Sequence, residues 1–242
     1  MDACSPLLNI LNAEGIPYAV LKGYYMIEKA YGSHKYRESS DIDILVSKEN
    51  AQRIKKVCYS LGFIQGDWDR VEKKIKPYTR EQILFYLTKT HQLPPMVLST
   101  GYAQMPATTV DINFSATWGE YGDDTSIGSD MLSRRELINI NGYNYYVLTN
   151  EVAFIQLCLH HYKECNSLFL LHQNRGLLLS IFTDIYGFIQ NNHLSCTLIT
   201  DLSKKYSVEN YMCYMLHCTS LIFEANEFIN SLISKLNCDD ID

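Results

Sequence analysis

The seven residues Ser40-Asp41-Ile42-Asp43-Ile44-Leu45-Val46 constrain the fold more than any other stretch of the chain. Polar and apolar side chains alternate and then give way to apolar ones alone, which is how a strand reads when it runs from a solvated end into a core. Side chains two apart in a strand share a face, so Asp41 and Asp43 point together while Ile42 and Ile44 point the other way. Two carboxylates held side by side repel each other, and a cation between them relieves the repulsion. Hard oxygen ligands of this kind suit Mg²⁺ with a bound phosphate. A solvated sheet edge would carry the same two residues, so the surroundings of the motif matter.

Upstream, Leu21-Lys22-Gly23 stands between a predicted strand, 18–21, and a predicted helix, 24–30. Backbone N–H groups at such a turn, with the helix N-terminus behind them, can bind phosphate. Downstream, Thr108-Thr109-Val110-Asp111-Ile112-Asn113-Phe114 is a β-rich alternating run with Asp111 at its centre. Pairing of that strand with the Asp41 strand would bring three carboxylates together, enough to hold two Mg²⁺ ions.

The rest of the first 148 residues mixes strands and helices. Ser5 before Pro6 reads as a helix start, and a helix is expected over 47–61, stopped by Gly62. Gln82 to Thr88 reads as a strand, and Asn141-Gly142 reads as the turn of a hairpin. Beyond Leu148 the pattern is helical throughout, over 149–162, 168–190, 197–205 and 210–236. The expected architecture is α+β: a mixed-sheet domain, 1–148, followed by a helical domain, 149–242.

Composition narrows the class further. The chain of 242 residues carries a net charge of −6 with 47% hydrophobic residues. That balance disfavours wrapping of a long nucleic acid, whose affinity comes mainly from Lys and Arg neutralising phosphates. The run Arg70, Lys73, Lys74, Lys76, Arg80 reads as a solvated helix face or loop, with a grip on an anionic acceptor as the sharper alternative. None of the eight cysteines stands in C-x-x-C spacing, and several fall on apolar helical faces where a free thiol acts as a small hydrophobe. A reducing cytosol is the expected home, since the N-terminus lacks a basic leader pattern and no apolar run reaches the ~18 residues of a membrane span.

Val20-Leu21-Lys22-Gly23, Tyr31, Arg37, the Asp41–Val46 strand and Val110-Asp111-Ile112-Asn113 together resemble the nucleotidyltransferase superfamily of the DNA polymerase beta type. The layout is similar to a bacterial branch with the pattern LKG … R … D-[IV]-D-[IL]-L-V … D-[IL]-H, related to lincosamide and aminoglycoside nucleotidyltransferases. The resemblance covers about residues 18–114 and extends weakly to about 190, through His160, Lys163 and Asp184. It implies a Mg²⁺-dependent enzyme that moves a nucleoside monophosphate from an NTP such as ATP to a hydroxyl or similar group, releasing pyrophosphate. Asp41, Asp43 and Asp111 would be the catalytic metal ligands, and Lys22, Gly23, Arg37 and Ser40 would meet the nucleotide. The chain departs from the pattern twice. Lys22-Gly23 replaces a Gly-Ser phosphate-binding pair, with Gly32-Ser33 competing for that role, and Asn113 stands where the branch often has His.

The acceptor expected from the acidic charge is a small molecule or a peptide or protein side chain rather than a polynucleotide. The rival readings are a non-catalytic nucleotide- or partner-binding module of the same fold and a tRNA-end nucleotidyltransferase toxin. His160 and His161 read as packing residues, one inward and one outward, because no carboxylate partner stands out at ligand spacing. Asp123-Asp124 and the acidic tail 239–242 read as exposed.

Overall fold

In the computed structural model, residues 3–37, 39, 41–117, 125–140, 142–167, 171–172, 177–224 and 226–238 are described. Ser40, Asp123-Asp124, Asn141 and the acidic tail lie outside them. The contacts divide the chain into two compact units, one of residues 1–26 with 37–148 and one of 27–36 with 149–242.

The first unit runs α1 (Ser5–Ala13), β1 (Tyr18–Val20), α2 (Tyr24–Tyr31, through which the division passes), β2 (Asp41–Val46), α3 (Ala51–Ser60), β3 (Ile64–Asp69), β4 (Lys74–Pro77), α4 (Arg80–Lys89), β5 (Met96–Ser99), β6 (Ala107–Asn113), α5 (Ser126–Ser133), β7 (Arg135–Ile140) and β8 (Tyr143–Leu148). Among the described residues these eight strands form one sheet in the order β4-β3-β5-β6-β2-β1-β8-β7. It is mixed, parallel where β1 meets β8 and where β2 meets β6, and antiparallel elsewhere.

Alternation decides which face is core. Ile42, Ile44 and Val46 of β2 join Val110 and Ile112 of β6 in a buried cluster with Leu7, Leu8 and Leu11 of α1 and Ile54 and Val57 of α3. The opposite face of β2 carries Asp41, Asp43 and Leu45. Leu45 meets α5 at Gly128, where a Cβ would lie 3.6 Å from the leucine Cδ1 and 2.9 Å from the Phe114 carbonyl. A methyl group there would force the helix off the sheet, so glycine sets how closely α5 covers that end of the face.

Three expectations are corrected. Residues 80–89 are helix α4, not a strand, because Thr79 and Gln82 form a reciprocal capping box, and its Leu84, Phe85 and Leu87 are exposed. The basic run is only in part a loop or helix face: Arg70 and Lys73 lie in the turn between β3 and β4 and Arg80 opens α4, but Lys74 and Lys76 do not fit that reading. Lys74–Pro77 is a strand, paired antiparallel with β3, and Lys74 and Lys76 make ion pairs with Glu72 and Asp69 of the same hairpin. Ser5 lies inside the first turn of α1, buried, with no side-chain cap at the helix start.

The second unit joins 27–36 to α6 (Asn150–Asn166), α7 (Leu179–Asn191), α8 (Cys196–Lys205), α9 (Glu209–Ile222) and α10 (Glu227–Leu236). The single helix expected over 210–236 is two, because the Asn226 side chain accepts from the Phe228 N–H and starts α10 afresh. Cys213 and Cys238 are joined in a disulfide, which corrects the expectation of free thiols for those two. The α9–α10 turn brings their Cα atoms to 5.6 Å, within the span a disulfide needs. Helix α7 lies directly on residues 29 and 30: a Cβ on Gly187 would collide with the Ala30 carbonyl, and Asn191 and Asn192 donate to the carbonyls of Ala30 and Lys29 at 2.9 Å. Among the described residues no helix is long and apolar enough to cross a membrane.

Candidate active site

Parallel pairing of β2 with β6 sets Asp41 opposite Thr109, Asp43 opposite Asp111 and Leu45 opposite Asn113. Because strands alternate, this register puts Asp41, Asp43 and Asp111 on one face. One carboxylate oxygen from each lies within 4.8 Å of the others; Asp41 is exposed and the other two are half-buried. An all-oxygen, all-anionic donor set of this size fits a hard divalent cation such as Mg²⁺ better than a zinc-type metal.

Neighbouring side chains fix two of the carboxylates. Ser39 Oγ donates to Asp41 Oδ1 at 2.8 Å and to the Asp41 carbonyl at 2.9 Å. Asn113 Nδ2 donates to Asp43 Oδ1 at 3.2 Å and to the Asp111 carbonyl at 3.3 Å. The residue that replaces the branch's histidine thus steadies one carboxylate of the trio, a role the sequence did not disclose.

The turn before α2 is built against the same strand. Leu21 N–H donates to the Asp43 carbonyl at 2.8 Å. Gly23 has φ +95°, and a Cβ there would stand 2.9 Å from the Asp41 carbonyl. Only glycine fits both the positive φ and the close approach, so Lys22-Gly23 adjoins Asp41. Lys22 and Arg37 are half-buried in the same unit. Gly32-Ser33 groups with the second unit, where Ser33 Oγ accepts from the Lys35 N–H at 3.3 Å. Ser40 lies outside the described residues. A cavity of about 450 Å³ adjoins the C-terminal ends of β2 and β6, with Lys48, Gln52, Lys89, His91 and Phe114 among its walls.

Residues 1–224 match a family described as an uncharacterised nucleotidyltransferase. The chain belongs to that family. The matched residues cover the sheet with its aspartates and the helical unit through α9, so this nucleotidyltransferase homologue is recognised well beyond the Asp-x-Asp motif. No curated protein matches it. Among solved structures, an antigenic nucleotidyltransferase-like protein from Paracoccidioides brasiliensis is similar at 14% identity and a TM-score of 0.45, covering 98% of this chain and 91% of that one.

The remaining candidates lie in the second unit. Lys163 is half-buried on α6, beside His160, half-buried, and His161, buried. Both histidines face carboxylates, which corrects the expectation that none stood at ligand spacing. Glu164 follows them by four and three positions, a helical spacing that the sequence itself carries.

Proposed function

We propose that this protein transfers a nucleoside monophosphate from an NTP to a hydroxyl group of a small molecule or a peptide side chain and releases pyrophosphate. The observation that carries the reading is the β2–β6 register, which sets Asp43 against Asp111 beside Asp41 in a chain of the nucleotidyltransferase family. Asp41, Asp43 and Asp111 would hold the divalent metal. When bound, Mg²⁺ supplies charge neutralisation at the triphosphate and at the entering and leaving oxygens.

The chain's own residues do the rest. Asp111, central on β6, accepts the proton of the acceptor hydroxyl as its oxygen bonds to the α-phosphorus. The bond to the bridging oxygen breaks, and the electron pair leaves with pyrophosphate. Lys22 and the Gly23 backbone would meet the phosphates, and Arg37, together with Ser40 outside the described residues, would meet the nucleotide. The advantage comes from positioning and preorganised charge rather than from covalent chemistry. A small or peptidic acceptor is supported by the net charge of −6 and by the ion pairing of Lys74 and Lys76 within their own hairpin.

The test is incubation with each of the four NTPs labelled at the α-phosphate, Mg²⁺ and a cell extract or a panel of small acceptors. Transfer of label that disappears in Asp41→Asn and Asp43→Asn is the expected result. Label transfer that survives both substitutions contradicts the assignment. A folded protein that binds NTP yet transfers nothing would instead be a nucleotide-binding module.

A further inference from the structure

Helix α6 carries a second set of ligand atoms, different in chemistry from the aspartate trio. His160 Nε2 lies 3.0 Å from Glu164 Oε1, and His161 Nδ1 lies 2.9 Å from Glu164 Oε2. One ligand atom from each of the three residues falls within 4.8 Å of the others. Nitrogen and oxygen ligands about 2.0–2.2 Å from one zinc ion sit roughly 3 Å apart in its shell; each histidine stands at that spacing from its own Glu164 oxygen, and the atoms of all three residues lie within 4.8 Å of one another.

The second observation is independent of that spacing. The other ring nitrogen of His161, Nε2, lies 3.2 Å from Asp184 Oδ2 on α7, and the Tyr31 hydroxyl donates to Asp184 Oδ1 at 2.5 Å. The His161 side chain is 1% exposed and that of Asp184 is 3% exposed. A buried imidazole anchored through one nitrogen to a buried carboxylate presents its other nitrogen in a fixed direction. Metal-ligating histidines are oriented in this way, with the carboxylate raising ligand basicity. His160 and Glu164, at 15% and 27% exposure, leave a path by which an ion can enter.

We propose that His160 Nε2, His161 Nδ1 and Glu164 form a binding site for a transition metal of the zinc class, with Asp184 and Tyr31 orienting His161. Two imidazoles with one carboxylate select zinc-type ions over Mg²⁺, which prefers an all-oxygen shell. These residues all belong to the second unit and the aspartate trio to the first, and the proposal does not depend on the transfer reaction.

The experiment uses the full chain, free of any histidine tag, with Asp41→Asn and Asp43→Asn to silence the trio. Titration with Co²⁺ is followed by its visible ligand-field bands, and circular dichroism reports the fold. One equivalent of Co²⁺ should bind, be displaced by Zn²⁺ and be unaffected by Mg²⁺. Adding His160→Gln and Glu164→Gln should abolish the bands. Tyr31→Phe, the mildest change to the orienting pair, should weaken binding by about tenfold or more. Absence of bands in the parent, or bands that survive His160→Gln with Glu164→Gln in a folded protein, would overturn the proposal and leave the cluster an ion-pair network.

Discussion

The aspartate trio on β2 and β6 and the histidine cluster on α6 each gather three ligand atoms within 4.8 Å, yet they are held together in opposite ways. In the sheet, backbone pairing sets Asp43 against Asp111, so like charges are neighbours because the ladder makes them so. In the helical unit the side chains do the holding: His161 links Glu164 on its own helix to Asp184 on α7, and Tyr31 adds a third element. A fold that imposes a cluster can lose its side chains and stand. A fold that rests on a cluster cannot.

That contrast can be broken by experiment. Asp43→Asn should lower nucleotidyl transfer by about 10²–10³-fold or more, since it removes a ligand of the divalent metal that would neutralise the reacting phosphate. Its melting temperature should stay level or rise, because one of three mutually repelling carboxylates is gone. A fall of many degrees would make Asp43 structural and dissolve the comparison.

His161→Leu should do the reverse, costing about 3–5 kcal/mol in a urea unfolding experiment because it takes the imidazole from a buried carboxylate. Pairing it with Asp184→Leu should recover much of the loss. A cost for the single variant under about 1 kcal/mol would show that the cluster does not hold the helices.

Cys213→Ser tests whether the second unit rests on anything besides that cluster. Opening the disulfide should destabilise it by about 2–4 kcal/mol, seen as a reductant-sensitive transition in the parent and none in the variant. The buried thiols report on the same unit and on the sheet. Burial pushes the Cys58 thiol up to about 12 and raises that of Cys158, so both should resist alkylation until the protein unfolds.

The smallest effect belongs to the β3–β4 hairpin. The Lys76 ammonium, donating to Asp69, with backbone N–H groups adding to it, holds the Asp69 carboxyl down at about 2. A carboxyl lowered on folding contributes stability that is complete above its unfolded value near ~3.9 and is lost as pH falls towards 2. Lys76→Met should return the Asp69 carboxyl towards the ordinary range in an NMR titration while global stability stays level.

The sequence disclosed the trio more readily than the cluster, for a physical reason. Strand alternation is a period of two residues, so Asp41 and Asp43 announce a shared face, and the flanks of Asp111 announce the same. Their register, Asp43 to Asp111, is a tertiary fact that alternation only permits. In the cluster, Glu164 lay within reach of helical spacing, whereas the approach of Asp184 and Tyr31 to His161 depends on how three helices pack. Helix α4 reads as a strand because its apolar residues are exposed and give no stripe; the capping box of Thr79 and Gln82 is the signal that marks it as a helix. The pairing of Cys213 with Cys238 depends on a helix break at Asn226 that the apolar pattern of 210–236 conceals.

The place of residues 27–36 has a consequence for how the molecule is made. A ribosome delivers Lys29, Ala30 and Tyr31 long before α7, yet α7 takes its backbone acceptors and the phenol on Asp184 from them. Strand β1 waits likewise, since the parallel neighbour of Val20 is Val147. The nascent chain therefore carries two unfinished surfaces at once, and they are completed late and in close succession. Severing the gene after codon 148 would give a C-terminal fragment lacking the segment on which α7 is seated.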